Sequence, residues 1–252
     1  MALKTKHTIP MWKKVMNLLL WLVLLAYFPI VMSFVSAEKA EAECVNVVAS
    51  IENISDDVMI TRKVLESKVK HAWPALAGTK LNELNLYDME REIEKSAVVK
   101  NCQMYTTPSG TLHVSVLQRE PIMHVFNSSG SYYMDSDKCK ITSQSDVRAN
   151  TVVVNGNVDD KSINDLIKIC LYLKENNFWR SQIEQIYVTA KHEFILIPRV
   201  GDHTIEFGEG DRIEEKFDNL LTLYKKGWQP KEWNLYSRVS VKYRGQIICT
   251  KR

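Results

Sequence analysis

The sequence lacks most of what announces an enzyme or a metalloprotein. Its five cysteines, Cys44, Cys102, Cys139, Cys170 and Cys249, are odd in number, far apart and without a C-x-x-C pair. That spacing supports neither a zinc site nor a disulfide framework. The thiols read as buried or spare, with one disulfide left open in an oxidising compartment. Six histidines are present, with no H-E-x-x-H or comparable spacing, so no catalytic metal is expected. His192-Glu193 and Asp202-His203 are neighbours, but neighbours on a strand face opposite ways, and they read as surface polar residues. No G-x-S-x-G elbow and no G-x-x-x-x-G-K-[ST] loop occurs, and Gly208-x-Gly210 lacks the third glycine of a dinucleotide loop. Asp135, Asp137 and Asp146 miss the spacing of a calcium loop, and Asp135 is expected to cap a turn. There is no internal repeat and no low-complexity tract. The formal net charge is +3 with both signs interspersed, which leaves no basic stripe for nucleic acid. These absences predict no catalytic residue, no cofactor, no metal and no small-molecule substrate.

One stretch lacks charge altogether. Val15 to Ala37 holds no Asp, Glu, Lys, Arg or His, and no later run matches it. A bilayer core takes roughly 20 consecutive apolar residues of helix, so the stretch is long enough to cross. Pro29 is tolerable there, because helices in lipid re-satisfy the carbonyl it frees. Lys4, Lys6, Lys13 and Lys14 precede the run without an acid, whereas Glu38, Glu41 and Glu43 follow it with only Lys39. The positive flank stays in the cytoplasm, which predicts a single-pass protein with most of its chain outside. The rival is a cleaved signal peptide ending at Val35-Ser36-Ala37. Signal peptides carry an apolar region of only about 7–15 residues, which favours an uncleaved anchor.

The rest reads as a mixed α+β chain. Val45 to Ile51 is β-rich. Asn53 and Ser55-Asp56-Asp57 are turn residues. A helix follows from about Thr61, with Val64, Leu65, Val69 and Ala72 on one side, and stops at Trp73-Pro74 because proline disfavours helix in the residue before it. Asn85 N-caps a second helix, with Met89, Ile93 and Ala97 at i, i+4, i+8. Val98 to Tyr105 and Thr111 to Leu117 form a hairpin about Pro108-Ser109-Gly110. Leu112, Val114 and Val116 alternate with His113 and Ser115, a half-buried strand pattern. The order is therefore β-α-α-β-β.

After Gln118-Arg119-Glu120-Pro121 strands dominate, with Asn127-Ser128-Ser129-Gly130 as a hairpin turn. A helix is predicted over Asp159 to Asn177, capped by Ser162 with Asp165, and carries Ile163, Leu166, Ile167, Cys170, Leu171 and Leu173. Three strands follow at Ile183–Thr189, Glu193–Pro198 and His203–Phe207. A helix capped at Asp211 then places Ile213, Phe217, Leu220, Leu221 and Tyr224 in one stripe and ends at Gly227. The segments Val239 to Tyr243 and Gln246 to Thr250 close the chain. A strand added last often lies at a sheet edge, where unpaired backbone groups can accept another strand. Val239, Val241, Tyr243, Gly245, Ile247 and Ile248 are therefore expected to bind a partner, although the same alternation would equally cover a core.

Several short motifs, in order, carry a family resemblance. Asn85 to Val99, then Pro108-Ser109-Gly110-Thr111-Leu112, then Gln118-Arg119-Glu120-Pro121-Ile122 resemble the second helix, hairpin and exit of a POTRA domain, a module that makes protein contacts outside membranes. Tyr132-Tyr133-Met134-Asp135, Val153-Val154-Asn155-Gly156, Ile205-Glu206-Phe207-Gly208, Glu215-Lys216-Phe217 and Val239-Ser240-Val241-Lys242-Tyr243 are similar to segments of the FtsQ/DivIB family of bacterial cell-division proteins. The chain departs from that pattern at Ile51-Glu52-Asn53 and Lys138-Cys139, where glycine is usual, and at Ser240, where aspartate is.

The resemblance implies a cytoplasmic tail (1–14), a transmembrane helix (15–37), a linker (38–43), a POTRA domain (44–120) and an FtsQ-type β domain (121–252) with two or more helices packed on its sheet. It implies a non-catalytic bitopic scaffold in the bacterial inner membrane at the division septum. FtsB- and FtsL-like bitopic division proteins would be its periplasmic partners, FtsB by strand addition. The alternatives are a POTRA-containing assembly or secretion factor of the envelope, which would normally carry a barrel, and a periplasmic hydrolase.

Overall fold

The structure, a computed structural model, describes residues 11–53, 59–128, 130–142 and 149–252, and the side chains of all of these except 11, 13, 14, 32–41 and 230–232. Lys4, Lys6, His7, Ser55, Asp56, Asp57, Ser129 and Asp146 lie outside the described residues.

Helix α1 (Met11–Glu41) runs through Pro29 without a break and continues into residues expected to be linker. Its described side chains from Val15 to Val31 are all exposed. Among the described residues, no helix is long and apolar enough to cross a membrane.

The next elements are β1 (Asn46–Ile51), α2 (Arg62–Ala72), a 3-10 turn (Leu81–Glu83), α3 (Leu86–Glu94), β2 (Val99–Thr106) and β3 (Thr111–Gln118). Both helices start where local chemistry dictates. The Thr61 hydroxyl accepts the Val64 N–H at 3.4 Å, and Asn85 Oδ1 accepts the Asp88 N–H at 3.3 Å. Each thereby satisfies a donor that has no partner within the helix. Strand β3 is central, parallel to β1 and antiparallel to β2. Leu112, Val114 and Val116 point into a core with Leu65, Val69, Met89 and Ile93, as their alternation predicts. Gly110 turns the hairpin with φ +79°, and a Cβ there would meet the Glu43 carbonyl at 2.5 Å.

The second unit comprises β4 (Pro121–Asn127), β5 (Gly130–Asp135), β6 (Lys140–Ile141), β7 (Val152–Gly156), α4 (Asp160–Glu175), α5 (Asn177–Gln182), β8 (Ile183–Val188), β9 (Phe194–Pro198) and β10 (Thr204–Gly208). It closes with α6 (Ile213–Thr222), a π-type turn (Leu223–Gly227), a 3-10 turn (Pro230–Leu235), β11 (Tyr236–Ser240) and β12 (Ile248–Lys251). Among the described residues the strands form one nine-stranded sheet in the order β12-β11-β10-β9-β8-β7-β4-β5-β6. Ile163, Leu166 and Cys170 of α4, Trp179 of α5 and Phe217 and Leu220 of α6 are buried in one core with the sheet residues Val154, Ile186, Leu196 and Phe207. Phe217 is its hub, with ring centroids 4.7 Å from Tyr172, 4.9 Å from Trp179 and 5.1 Å from Phe207.

Two caps differ from expectation. Helix α4 is capped by Asp159, whose carboxylate accepts the Lys161 and Ser162 N–H groups while Ser162 Oγ accepts the Asp159 N–H. Asp165 instead pairs with Lys168 at 2.9 Å. Helix α6 has no side-chain cap; it begins after Arg212, which is left-handed at φ +45°. Asp211 serves the buried Lys216 ammonium instead, at 2.5 Å, and the Glu209 carbonyl accepts from the same ammonium at 2.8 Å. The hydrogen bonds from Lys216 and Arg212 hold the Asp211 pKa down at about 2.

Three consecutive side chains form the joint between the two sheets, the first tied within the small unit and the next two reaching across to the large one. Buried Gln118 accepts the Met59 N–H at 3.0 Å and donates to the Asn53 carbonyl at 3.2 Å. Arg119 donates to Asp135 at the end of β5 at 2.8 Å. Glu120 pairs with Lys174 on α4 at 2.8 Å. Asp135 also accepts the Asp137 and Cys139 N–H groups, the turn-capping role expected of it.

His203 is a correction to its expected place at the surface. It is 1 % exposed, and its Nε2 lies 2.7 Å from the Tyr224 hydroxyl, with Trp228 edge-on to the ring. It lies just before β10, in the bend where Asp202 stays exposed and His203 turns inward.

Val114→Asp should cost several kcal/mol, since it buries a charge without a partner; a melt of the variant that matches the parent would refute the face assignment. Burial pushes the His203 pKa down, against a smaller upward pull from Asp202, and burial lowers His124 as well. A group depressed on folding contributes stability that is full above its unfolded value, about 6.5 for histidine, and is lost as the pH falls toward the folded value. Stability should therefore decline on acidification below about pH 6.5. His203→Phe should flatten that decline, leaving the His124 part, in denaturant titrations at several pH values.

Candidate partner-binding edge

A sheet offers its surroundings one thing a folded core cannot, a row of backbone N–H and C=O groups without partners along an edge strand. At the C-terminal end of the large sheet that edge is β12, which among the described residues pairs with β11 alone. The register is antiparallel, with Val239 opposite Cys249 and Ser240 opposite Ile248, and an irregularity falls between Tyr236 and Arg238. Strand β11 is interior, because its other side pairs in parallel with β10.

This topology divides the six expected partner residues. Val239 and Val241 are 0 % and 2 % exposed and belong to the core. Their side chains are closed to any partner, so that part of the expectation is corrected: the alternation of this segment covers a core, and β11 is not an edge. Ile247 packs partly against the same core. Tyr243 and Ile248 are open, at 51 % and 45 % exposed, and Gly245 is exposed in the turn between them. Of the six, Ile248 lies on β12, Tyr243 and Gly245 lie in the exposed connection that leads into it, and Val239 and Val241 lie in the core.

The frame under this edge is well braced. Arg238 on β11 pairs with Glu206 on β10 at 3.0 Å. Lys242 pairs with Glu193, which pushes the lysine pKa up, and the Lys242 carbonyl accepts from Arg212 at 3.2 Å. Ser237 donates to the Thr250 carbonyl at 3.3 Å, and the Arg252 N–H donates to the Leu235 carbonyl at 3.1 Å. The exposed side chains around the open edge are Arg244, Thr250, Lys251 and Arg252 beside Tyr243 and Ile248. The edge is therefore a short, basic, partly apolar strand on a fixed support. It suits an extended segment that supplies backbone pairing, an apolar contact for Ile248 or Tyr243, and acids. The bracing ion pairs escaped the sequence reading because they join strands distant in the chain.

Among the described residues no group of three or more His, Cys, Asp or Glu could hold a metal. The five cysteines are free thiols, and burial pushes Cys102 up to about 12.

The family model described as FtsQ/DivIB, C-terminal related, matches residues 120–250, more than half of the chain. A second, described as a POTRA-like domain, matches residues 42–117. No curated protein matches the chain.

Gly245 has φ +71° with open space where a Cβ would stand, so only its backbone conformation restricts it. Gly245→Ala should cost about 1–2 kcal/mol locally. Amide exchange should quicken across β12, while the melt of the large core stays near the parent's. Unchanged exchange at Cys249 and Thr250 would show that the turn does not set the edge.

Proposed function

The chain belongs to the FtsQ/DivIB C-terminal related family, and from that membership we propose that it acts as a non-catalytic, membrane-anchored scaffold of bacterial cell division that captures a partner strand at β12. The observation that carries the proposal is the family match over the β-rich unit, whose last strand pairs on one side and is an edge on the other among the described residues.

The anchor in this reading is the uncharged run Val15 to Ala37, of which the side chains beyond Val31 lie outside the described residues. Its exposed side chains from Val15 to Val31 contain no charge, and the uncharged run goes on in sequence to Ala37. A helix apolar on all sides suits lipid, not a surface. The lysine flank puts the N-terminus in the cytoplasm and the two sheets in the periplasm.

FtsB- and FtsL-like bitopic proteins are the proposed partners, with FtsB the one that adds a strand. In strand addition the main chain supplies affinity and alternate side chains supply specificity. Ile248 and Tyr243 are the proposed specificity contacts, and Arg244 and Lys251 favour acids beside the added strand. Val239 and Val241 contribute by holding β11 flat against the core, without touching the partner.

The test is co-purification of a tagged FtsB-like partner with the full-length protein from membranes, beside a melt. Ile248→Glu and Tyr243→Ala should each weaken capture tenfold or more, about the loss of a modest hot spot. Both side chains are exposed, so the melt should shift by only about 0.5 kcal/mol. Full capture by a folded double variant would remove β12 as the interface. A reporter fused after Ala42 should be active only outside the cytoplasm, and a mature protein starting at Glu38 would overturn the anchor.

A further inference from the structure

The small sheet also has free edges, and β2 is one of them. At eight residues it is longer than β12 and should be the better template for an added strand. Two successive outward donors in its middle are nevertheless occupied. The Met104 N–H donates to Glu90 Oε1 at 2.6 Å, and the Cys102 N–H donates to Glu94 Oε1 at 3.0 Å. Asn101 Nδ2 also donates to Glu94, at 3.4 Å. Both carboxylates come from α3, which packs beside β2.

The match is geometric. Residues i and i+4 of a helix share a face and are separated by about 6 Å along its axis. Alternate residues of an edge strand aim their N–H groups the same way, about 6.7 Å apart. A Glu-x-x-x-Glu pair on a helix running antiparallel to the strand can therefore reach two successive outward donors. Glu90 meets Met104, and four residues later Glu94 meets Cys102, two residues earlier. The side chains of Cys102 and Met104 point into the core, while their amides lie in the plane of the sheet and meet the α3 carboxylates at its edge. Hydrogen bonds to an ionised acceptor are short and about twice as strong as neutral ones. The Cys102 thiol registers the same charges: burial raises its pKa most, and Glu90 and Glu94 raise it further.

We infer that Glu90 and Glu94 lock the β2 edge, occupying the donors an incoming strand needs, so that a second copy of this chain cannot pair through β2 and strand addition is left to other edges. A strand arriving at β2 would have to expel two carboxylates and would then face their charge. The inference stands whether or not β12 takes a partner.

The test compares the full-length protein in detergent micelles with Glu90→Ala/Glu94→Ala and Glu90→Gln/Glu94→Gln double variants. Amide exchange at Cys102 and Met104 is read at low protein concentration, and association state across a concentration series. In the alanine variant the two amides should exchange about tenfold faster or more, the scale of a lost charge-assisted bond. That variant should also dimerise as concentration rises, with Cys102 and Met104 protected again in the dimer. The glutamine variant keeps an acceptor oxygen and should stay monomeric. Unchanged protection of the β3 amides shows in the same data that the unit is folded. A folded alanine variant that exchanges like the parent, or stays monomeric throughout, overturns the lock.

Discussion

Gln118, Arg119 and Glu120 are consecutive, and each is held from a different direction. Gln118 is tied to the loop after β1, Arg119 to the end of β5 and Glu120 to α4. One tripeptide thus ties the small unit to the large one at two points, beside the Lys100–Asp137 ion pair, and the placement of the two sheets depends on this joint. The bonds differ in worth. The Arg119–Asp135 pair is largely withdrawn from water, so breaking it from one side would strand a charge, the costly case for ion pairs. The Glu120–Lys174 pair is well exposed and adds orientation more than stability. Around the joint Met59, Tyr133 and Ile141 make a small apolar cluster of their own.

Beyond the joint, the architecture is governed by how each strand disposes of its outer backbone. Interior strands of the large sheet find neighbours on both sides. Strand β2 finds side-chain carboxylates, and β12 finds nothing within the described chain. An α+β chain with several free strand sides risks indiscriminate pairing. Closing one edge with a neighbouring helix while leaving another open on braced support turns a general liability into a directed one.

Much of this was legible in the amino-acid pattern. The order β-α-α-β-β, the inward set Leu112, Val114 and Val116, and the stripe Phe217, Leu220, Tyr224 follow from periods of two and of 3.6, which are local properties. The failures are non-local. Val239 and Val241 alternate as an edge strand would, and only the pairing of β11 with β10 makes them interior. Lys216 reads as a solvated helix residue, yet it is buried because Asp211 and the Glu209 carbonyl are folded back onto it. His203 and its neighbour Asp202 are polar alike in composition, and it is the contact with Tyr224, 21 residues on, that marks His203 as buried. Of the candidate residues only Ile248 lies on the rim strand, with Tyr243 and Gly245 in the turn before it, because which of the last two segments forms the rim depends on sheet order, which no local period encodes.

Strand β12 follows every other strand of its sheet in the chain, and its only neighbour, β11, must first be seated beside β10 by a parallel connection running through α6. A chain in which α6 is not docked lacks the connection that carries β11, and with it the rim, to the side of β10. For a ligand that pairs with β12, binding is at once an inspection: a chain stalled, truncated or misfolded anywhere earlier in the large sheet presents nothing to hold. Assembly would then be timed by the completion of folding, with no separate signal to report that the subunit is ready.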